Sequence, residues 1–220
     1  KSELLNITKY TQLAIYSSSM CIFNVMQNEI DIDKLFIKYS LGHSLGEYSA
    51  LTVSNVISVE DCSILLKKRG ELMQNAFEEN MSGMAAIIGL DCTKVEKIIK
   101  DYKLNVEVAN DNSPLQVVIS GTKEDLLEAE YFIMKNGAKK FIHLNVSSAF
   151  HSRLMKNAEN KMKLFLDKIN FQDPSYCFIS NFSAKETNDS KIIFNNLIKQ
   201  MSNKVRWVES IKCLESLNEN

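Results

Sequence analysis

Arginine and proline are scarce in this sequence. Its 220 residues include three arginines against 23 lysines, and only two prolines. Because lysine is the usual cation here, each arginine is a candidate for a task that lysine cannot perform, such as holding both oxygens of a carboxylate. The remaining composition, with 45% apolar and 24% charged residues, is typical of a globular protein.

Long apolar runs and paired cysteines are also missing. No run approaches the roughly 18 residues that a membrane span needs. The net charge of −1 argues against nucleic acid as the main partner. The cysteines are scattered, odd in number and form no Cys-x-x-Cys pair, which predicts a reducing compartment and no metal site. They are Cys21, Cys62, Cys92, Cys177 and Cys213.

The two ends of the sequence suggest a piece of a longer protein. The chain begins at Lys1 without a methionine and ends on a polar Leu-Asn-Glu-Asn segment. Targeting signals are therefore left open.

The outer parts of the chain read as alternating helices and strands of an α/β core. The periodicity predicts a helix at 11–28, a strand at about 34–41 and a helix at 45–56. A capping-box pattern, Ser58 to Asp61, opens another helix that reaches about residue 77. After residue 147 we expect a helix at about 152–168, a strand at 176–180 and helices at about 190–202 and 206–216.

The middle of the chain has a different character. Residues 83–147 read as strand, helix, strand, strand, helix and strand, which is the order of a ferredoxin-like module. We therefore predict an α/β fold: an α/β-hydrolase-like parallel-sheet core, formed by 1–82 and 148–220, with a ferredoxin-like insert at 83–147.

Ser44 stands in the sequence Gly-His-Ser-Leu-Gly, between a predicted strand and a predicted helix. This is the nucleophile-elbow pattern, in which small neighbours allow a tight turn that exposes the serine hydroxyl. The N–H of Leu45, at the start of the following helix, is a natural donor to an oxyanion. An ordinary loop serine is the less favoured alternative.

A serine nucleophile needs a base, and the sequence offers three histidines. His43 adjoins Ser44, and neighbours on an elbow usually point apart. His143 lies in the last strand of the insert, where a half-buried structural role is the better interpretation. His151 stands where the chain returns to the core and can reach the elbow, but spacing alone does not decide its role.

Arg69 follows Ser44 by 25 residues, midway along the capped helix. On the pattern alone, a solvated basic face is the favoured interpretation. The functional alternative is an arginine that grips a planar carboxylate.

Six segments resemble, in order, the motifs of one enzyme family, the malonyl-CoA:acyl-carrier-protein transacylases of bacterial-type fatty acid synthesis. The segments are 42–51 (Gly-His-Ser-Leu-Gly-Glu-Tyr-Ser-Ala-Leu), 69–74 (Arg-Gly-Glu-Leu-Met-Gln), 83–90 (Gly-Met-Ala-Ala-Ile-Ile-Gly-Leu), 110–114 (Asn-Asp-Asn-Ser-Pro), 149–151 (Ala-Phe-His) and 200–207, where Gln, Val and Trp have the family's spacing. Two family motifs are absent: an early Gly-Gln-Gly-Ser-Gln loop, which supplies the second oxyanion donor, and a closing Gly-Pro-Gly. The chain thus resembles the middle of the family's sequence.

The resemblance implies a ping-pong malonyltransferase. Ser44, with His151 as base, would take the malonyl group from malonyl-CoA and pass it to the phosphopantetheine thiol of acyl carrier protein. Arg69 would bind the malonyl carboxylate, and the backbone carbonyl of Gln200 would orient the histidine ring. The N–H of Leu45 would stabilise the oxyanion.

The resemblance also implies the surroundings of the site. Pocket candidates are His43, Met73, Asn112, Gln116 and Phe150. No metal and no cofactor are expected, since CoA is part of the substrate. The partners would be malonyl-CoA and the acidic acyl carrier protein, without nucleic acid or membrane, and we expect a monomer.

One face of the helix after the catalytic histidine is the candidate dock for the carrier protein, and a solvated face is an equal alternative for it. Its residues are Arg153, Lys156 and Lys163. The compartment would be the cytoplasm in a bacterium, or else a plastid of the apicoplast type or a mitochondrion.

The sequence leaves three alternatives open. The chain could be a serine esterase or thioesterase built on the same elbow, which would have no use for Arg69. It could be an inactive domain that only binds a partner. It could also be a malonyl-type acyltransferase module of a larger synthase.

Overall fold

The computed structural model of the protein describes residues 5, 7–30, 32–77 and 81–218. The ends, including Lys1 and Asn220, lie outside these ranges. The helices are α1 (Thr8–Glu29), α2 (Leu45–Val53), α3 (Val59–Gln74), α4 (Cys92–Asp101), α5 (Lys123–Lys135), α6 (Lys156–Leu166), α7 (Ser190–Gln200) and α8 (Trp207–Asn218). The strands are β1 (Tyr39–Ser40), β2 (Ser82–Ile88), β3 (Glu107–Ser113), β4 (Gln116–Thr122), β5 (Lys140–His143), β6 (Cys177–Ile179) and β7 (Glu186–Thr187). None of the helices in these ranges is long and apolar enough to cross a bilayer.

A small sheet with the order β1-β6-β7 carries the serine motif. β1 and β6 pair in parallel, with Ser40 opposite Phe178, and β7 pairs antiparallel to β6. Parallel neighbours require a crossover, and here the crossing chain includes α2 and α3. Leu51, Leu65 and Phe178 are fully buried in the core that these elements share.

The four-stranded sheet has the order β3-β4-β2-β5, and all its pairings are antiparallel. With α4 and α5 it forms the β-α-β-β-α-β order expected for the middle of the chain. Ile87, Ile119 and Val95 lie in a separate core beneath these two helices. The domain boundaries at 83 and 147 stay a prediction.

Side-chain caps explain where several helices begin. The Ser58 hydroxyl accepts a hydrogen bond from the Asp61 N–H at 3.0 Å, so the predicted cap of α3 is confirmed. Thr122 caps α5 in the same way through the Asp125 N–H at 3.1 Å. α3 nevertheless ends at Gln74, three residues short of the prediction.

Three further sequence predictions about the elements were wrong in part. The strand expected at 34–41 is only Tyr39–Ser40, because Ile32–Leu35 form a 3₁₀ turn and Phe36, with a positive φ of 46°, is 86% exposed. α2 ends at Val53 rather than 56. The helix expected at 152–168 is divided into a 3₁₀ turn at Arg153–Met155 and α6.

The four-stranded sheet touches the rest of the protein close to His151. The Ser120 hydroxyl on β4 donates to the Phe150 carbonyl at 2.6 Å. Asn110 on β3 forms an isolated parallel bridge with Val205, the residue two before α8. These contacts hold the returning chain against both parts of the fold.

Candidate active site

Ser44 stands on a strained turn between β1 and α2. Its φ is 50° and its ψ is −104°, a conformation that side-chain-bearing residues rarely adopt. A Cβ on Gly42 would lie 2.0 Å from the Gly46 carbonyl oxygen, so the turn requires glycine at 42. At Gly46 an added Cβ meets nothing within 4 Å. We expected the turn to need a small residue on both sides of the serine. The structure requires one at Gly42 and not at Gly46.

Asn181, two residues after the end of β6, holds this turn. Its Oδ1 accepts from the Ser44 N–H at 2.6 Å, and its Nδ2 donates to the Gly42 carbonyl at 2.6 Å. Sequence reasoning missed Asn181, because it lies 137 positions from the serine and belongs to none of the recognised motifs.

His151 meets Ser44 at hydrogen-bond distance. The Ser44 Oγ lies 2.8 Å from His151 Nε2, and His151 Nδ1 lies 2.9 Å from the Gln200 carbonyl oxygen. A carbonyl can only accept, so Nδ1 carries the proton and Nε2 accepts from the serine hydroxyl. The histidine is 4% exposed and has a positive φ of 56°. Burial, followed by the positive charge of Arg69, lowers the pKa of His151 to about 3, so the ring is neutral at pH 7.

Arg69 is buried beside the serine, not on a solvated face. Its side chain is 1% exposed, and its Cζ lies 5.3 Å from the centre of the Tyr48 ring. Nη1 donates to Gln12 Oε1 at 2.6 Å, while Nη2 donates to Gln200 Oε1 at 2.9 Å and to Ser44 Oγ at 3.1 Å. Among the residues that the structure describes, Arg69 Nε has no hydrogen-bond partner. The guanidinium therefore keeps donor capacity for a further acceptor.

The Gln200 side chain is also part of the site. From the sequence, only its backbone carbonyl was assigned a task. The structure shows that Nε2 donates to the Ser44 carbonyl at 2.7 Å and to Glu47 Oε2 at 2.7 Å, while Oε1 receives Arg69. The expectation of a role limited to the backbone was incomplete, since a side-chain amide far along the chain gives no local signal.

Glu47 is a buried carboxylate, 1% exposed, in the first turn of α2. Burial raises the pKa of Glu47 to about 7, although the Gln200 amide, the Asn181 N–H and Arg69 each act to lower it. It lies within the ten-residue motif, but sequence reasoning gave it no role.

A cavity of about 940 Å³ opens in front of Ser44. Its lining includes Leu45, Arg69 and three of the pocket candidates, which are His43, Met73 and Phe150. Leu45 is the first residue of α2, so its N–H has no partner within that helix. This places a backbone donor next to the serine, as an oxyanion site requires.

Asn112 and Gln116 are not among the cavity-lining residues in the described part of the chain. Asn112 Oδ1 instead lies 2.8 Å from His43 Nε2, and Asn112 Nδ2 donates to Gln116 Oε1 at 3.5 Å. Gln116 is exposed at the hairpin end of β4. His43 also packs edge-on against Trp207, with ring centroids 5.5 Å apart. His43 thus lines the cavity while its ring contacts Asn112 of the four-stranded sheet and Trp207 of α8.

His143 does not join the site. It is exposed, and its Nε2 lies 3.0 Å from Glu130 Oε2. The expectation of a half-buried histidine was wrong in its burial, because β5 is an edge strand of the four-stranded sheet.

Acidic residues pair with the basic residues of the candidate carrier-protein dock, for which a solvated face was an equal alternative. Arg153 pairs with Glu107, Lys156 with Glu159, and Lys163 with Asp167. Three ion-paired cations present little free positive charge to an acidic partner.

In the described ranges, no three His, Cys, Asp or Glu side chains lie close enough together to hold a metal ion.

A family model described as the acyl transferase domain matches residues 5–218. The chain belongs to the acyl transferase domain family. A malonyl CoA-acyl carrier protein transacylase of Staphylococcus aureus (strain MSSA476) is 34% identical over 213 residues, which cover 96% of this chain and 67% of that protein.

Solved structures give the same result. An acyl-carrier-protein-S-malonyltransferase from Bartonella henselae aligns with this acyl transferase at a TM-score of 0.91 and 36% identity, covering 100% of this chain and 70% of that one. A malonyl-transacylase in complex with its type II PKS acyl-carrier protein aligns at a TM-score of 0.90 and 35% identity, covering 99% of this chain and 70% of that one. The prediction of an α/β fold of this family is confirmed.

Proposed function

We propose that this acyl transferase moves a malonyl group from malonyl-CoA to the phosphopantetheine thiol of acyl carrier protein, in fatty acid synthesis. The observation that carries the proposal is the placement of Arg69, whose buried guanidinium contacts the Ser44 hydroxyl at 3.1 Å. A permanent cation beside a serine nucleophile suits an acyl group that itself bears a carboxylate. The names of the relatives support the same substrate and partner.

In the first half-reaction, the Ser44 oxygen attacks the thioester carbonyl, and His151 Nε2 takes the hydroxyl proton. The Gln200 carbonyl stabilises the resulting imidazolium through Nδ1–H. The Leu45 N–H stabilises the oxyanion. The tetrahedral intermediate expels the CoA thiolate, which takes the proton from His151, and malonyl remains as an ester on Ser44.

The second half-reaction reverses these steps. The pantetheine thiol gives its proton to His151 and attacks the serine ester, and Ser44 leaves with that proton. A thioester is consumed and a thioester is formed, so the equilibrium is nearly balanced and catalysis depends on keeping water from the ester.

Arg69 also makes the protonation of His151 depend on the charge of the substrate. Its positive charge helps to keep His151 neutral in the free protein. A substrate carboxylate on the guanidinium offsets that charge and makes protonation of the histidine less costly.

The deciding experiment is intact-mass analysis after mixing the protein with malonyl-CoA. A malonyl adduct that Ser44→Ala abolishes, and that acyl carrier protein discharges, is the expected result. Turnover to free malonate without the carrier would identify a hydrolase. No mass change would identify a binding module and refute the proposal.

A further inference from the structure

Glu47 lies where a carboxylate is costly. It is 1% exposed, and a buried charge persists only when hydrogen-bond donors surround it. Its position in the first turn of α2 helps, because the positive end of the helix dipole favours an anion there. No step of the proposed reaction uses it, so its burial needs another reason.

Each oxygen of Glu47 accepts from a different donor. Oε1 accepts from the Asn181 backbone N–H at 3.2 Å, and Oε2 accepts from Gln200 Nε2 at 2.7 Å. Asn181 is itself fixed by its two contacts with the nucleophile turn. The carboxylate therefore joins that turn to Gln200 on α7.

These contacts determine how the Gln200 amide is turned. Nε2 faces two acceptors, Glu47 Oε2 and the Ser44 carbonyl, each at 2.7 Å. Oε1 must then point the other way, where Arg69 Nη2 donates to it at 2.9 Å. A flipped amide would set an N–H against the guanidinium and an oxygen against the carboxylate.

We propose that Glu47 is a positioning residue that locks the Gln200 amide in one orientation and so holds Arg69 over Ser44, ready for the substrate carboxylate. This inference rests on the proposed function, because it assigns Glu47 a part in selecting a charged acyl group. Glu47 touches neither the serine hydroxyl nor the cavity in front of it, and it acts through Gln200.

An isosteric glutamine cannot replace Glu47. A carboxylate offers an acceptor on both sides, whereas an amide offers one acceptor and one donor. Turned either way, the amide of Glu47→Gln sets an N–H against the Asn181 N–H or against Gln200 Nε2. In the second case Gln200 flips and releases Arg69.

The test is kcat and KM for malonyl-CoA and acetyl-CoA in the wild type, Glu47→Gln and a control, measured at a pH well above the raised pKa of Glu47, where its carboxylate is ionised. We expect Glu47→Gln to lower kcat/KM for malonyl-CoA about 5- to 150-fold, the effect of one unpaired buried donor, and to leave acetyl-CoA near the wild-type value. The control is Glu60→Gln, the same change at an exposed glutamate in the first turn of α3, and it should alter neither substrate.

A second variant covers the case in which Glu47→Gln does not fold. Gln200→Met keeps the length of the side chain and removes the amide, so malonyl transfer should fall by a larger factor than acetyl transfer, which loses only the contact of Nε2 with the Ser44 carbonyl. In the double variant the two losses should not add, because both changes act through one amide.

Equal losses for both substrates, or additive losses in the double variant, would show that Glu47 is only structural. Adduct formation by the wild type distinguishes failure of the role of Glu47 from failure of the proposed function. If the wild type forms no malonyl adduct, the proposed function fails; if it does, and Glu47→Gln keeps the wild-type preference for malonyl-CoA, only the role of Glu47 fails.

Discussion

Replacing Arg69 with alanine should convert a malonyl-selective site into one that no longer favours a carboxylate. A malonyl group differs from an acetyl group by one carboxylate, and Arg69 is the buried cation that contacts Ser44. Removing one member of a buried hydrogen-bonded charge pair typically costs about 2–5 kcal/mol. That corresponds to a loss of roughly thirty- to several-thousand-fold in kcat/KM for malonyl-CoA.

The same substitution has a separate effect on stability. Arg69→Ala leaves Gln12 Oε1 and Gln200 Oε1 without the donor that each now has. A buried acceptor left unpaired costs about 1–3 kcal/mol, so the free energy of unfolding should fall by about 2–6 kcal/mol. Urea unfolding measures this loss, and kinetics must be recorded at temperatures where the variant stays folded.

The assay compares kcat/KM for malonyl-CoA and acetyl-CoA in the wild type, Arg69→Ala and Arg69→Lys. Acetyl transfer should be spared or improved by Arg69→Ala, since no unpaired cation then remains in the pocket. Arg69→Lys should recover part of the malonyl activity, because an ammonium cannot hold both oxygens in one plane. Arg153→Ala is the matched control, an exposed arginine paired with Glu107.

Equal losses for the two substrates in Arg69→Ala would refute the reasoning. Arg69 would then be a structural residue, and the carboxylate partner would have to be sought at Arg153 or Arg206, both of which are paired with glutamates.

Two further predictions concern the turn and the base. Gly42→Ala should destabilise the protein by more than about 1 kcal/mol, because its Cβ would lie 2.0 Å from a backbone oxygen. Gly46→Ala, in a helix with free space around the added Cβ, should be neutral or raise stability by up to about 1 kcal/mol. Urea unfolding of both variants checks this, and equal effects would contradict it. Because the pKa of His151 is lowered to about 3 in the folded protein, the unfolded chain binds a proton between pH 6.5 and about 3 that the folded protein does not bind. The free energy of unfolding therefore falls as the pH falls through this range. His151→Asn should be less sensitive to acid, and the difference in unfolding free energy between wild type and variant should change by up to about 5 kcal/mol over this window; a difference independent of pH would show that the histidine titrates normally.

Local patterns predicted the parts of the site that depend on neighbouring residues. The elbow at Ser44 is such a case, because a tight strand-to-helix turn needs its glycine only two positions away. The cap at Ser58 is another, since donor and acceptor are three residues apart. Such features depend mainly on residues within one turn of the chain, although Asn181 also holds the elbow from a distant part of the sequence.

Residues that reach the site from afar were harder to predict. The position of Arg69 alone favoured a solvated face, and only the resemblance pointed to a carboxylate partner. Gln12 and Asn181 gave no signal, because their task exists only after α1 and β6 pack beside the elbow. The strand at 34–41 failed for the same reason: an apolar run forms a strand only where a partner strand exists, and β6 offers only a short one.

Both reacting side chains stand on residues with positive φ, 50° at Ser44 and 56° at His151. Each such conformation costs a side-chain-bearing residue about 1–3 kcal/mol, so the fold is less stable for carrying the two groups together. Function and stability therefore oppose each other at these positions. In a lineage that no longer needs the reaction, glycine at 44 and 151 would relieve the strain. A descendant that has lost activity should thus drift toward glycine at these positions first and become more stable as it does so.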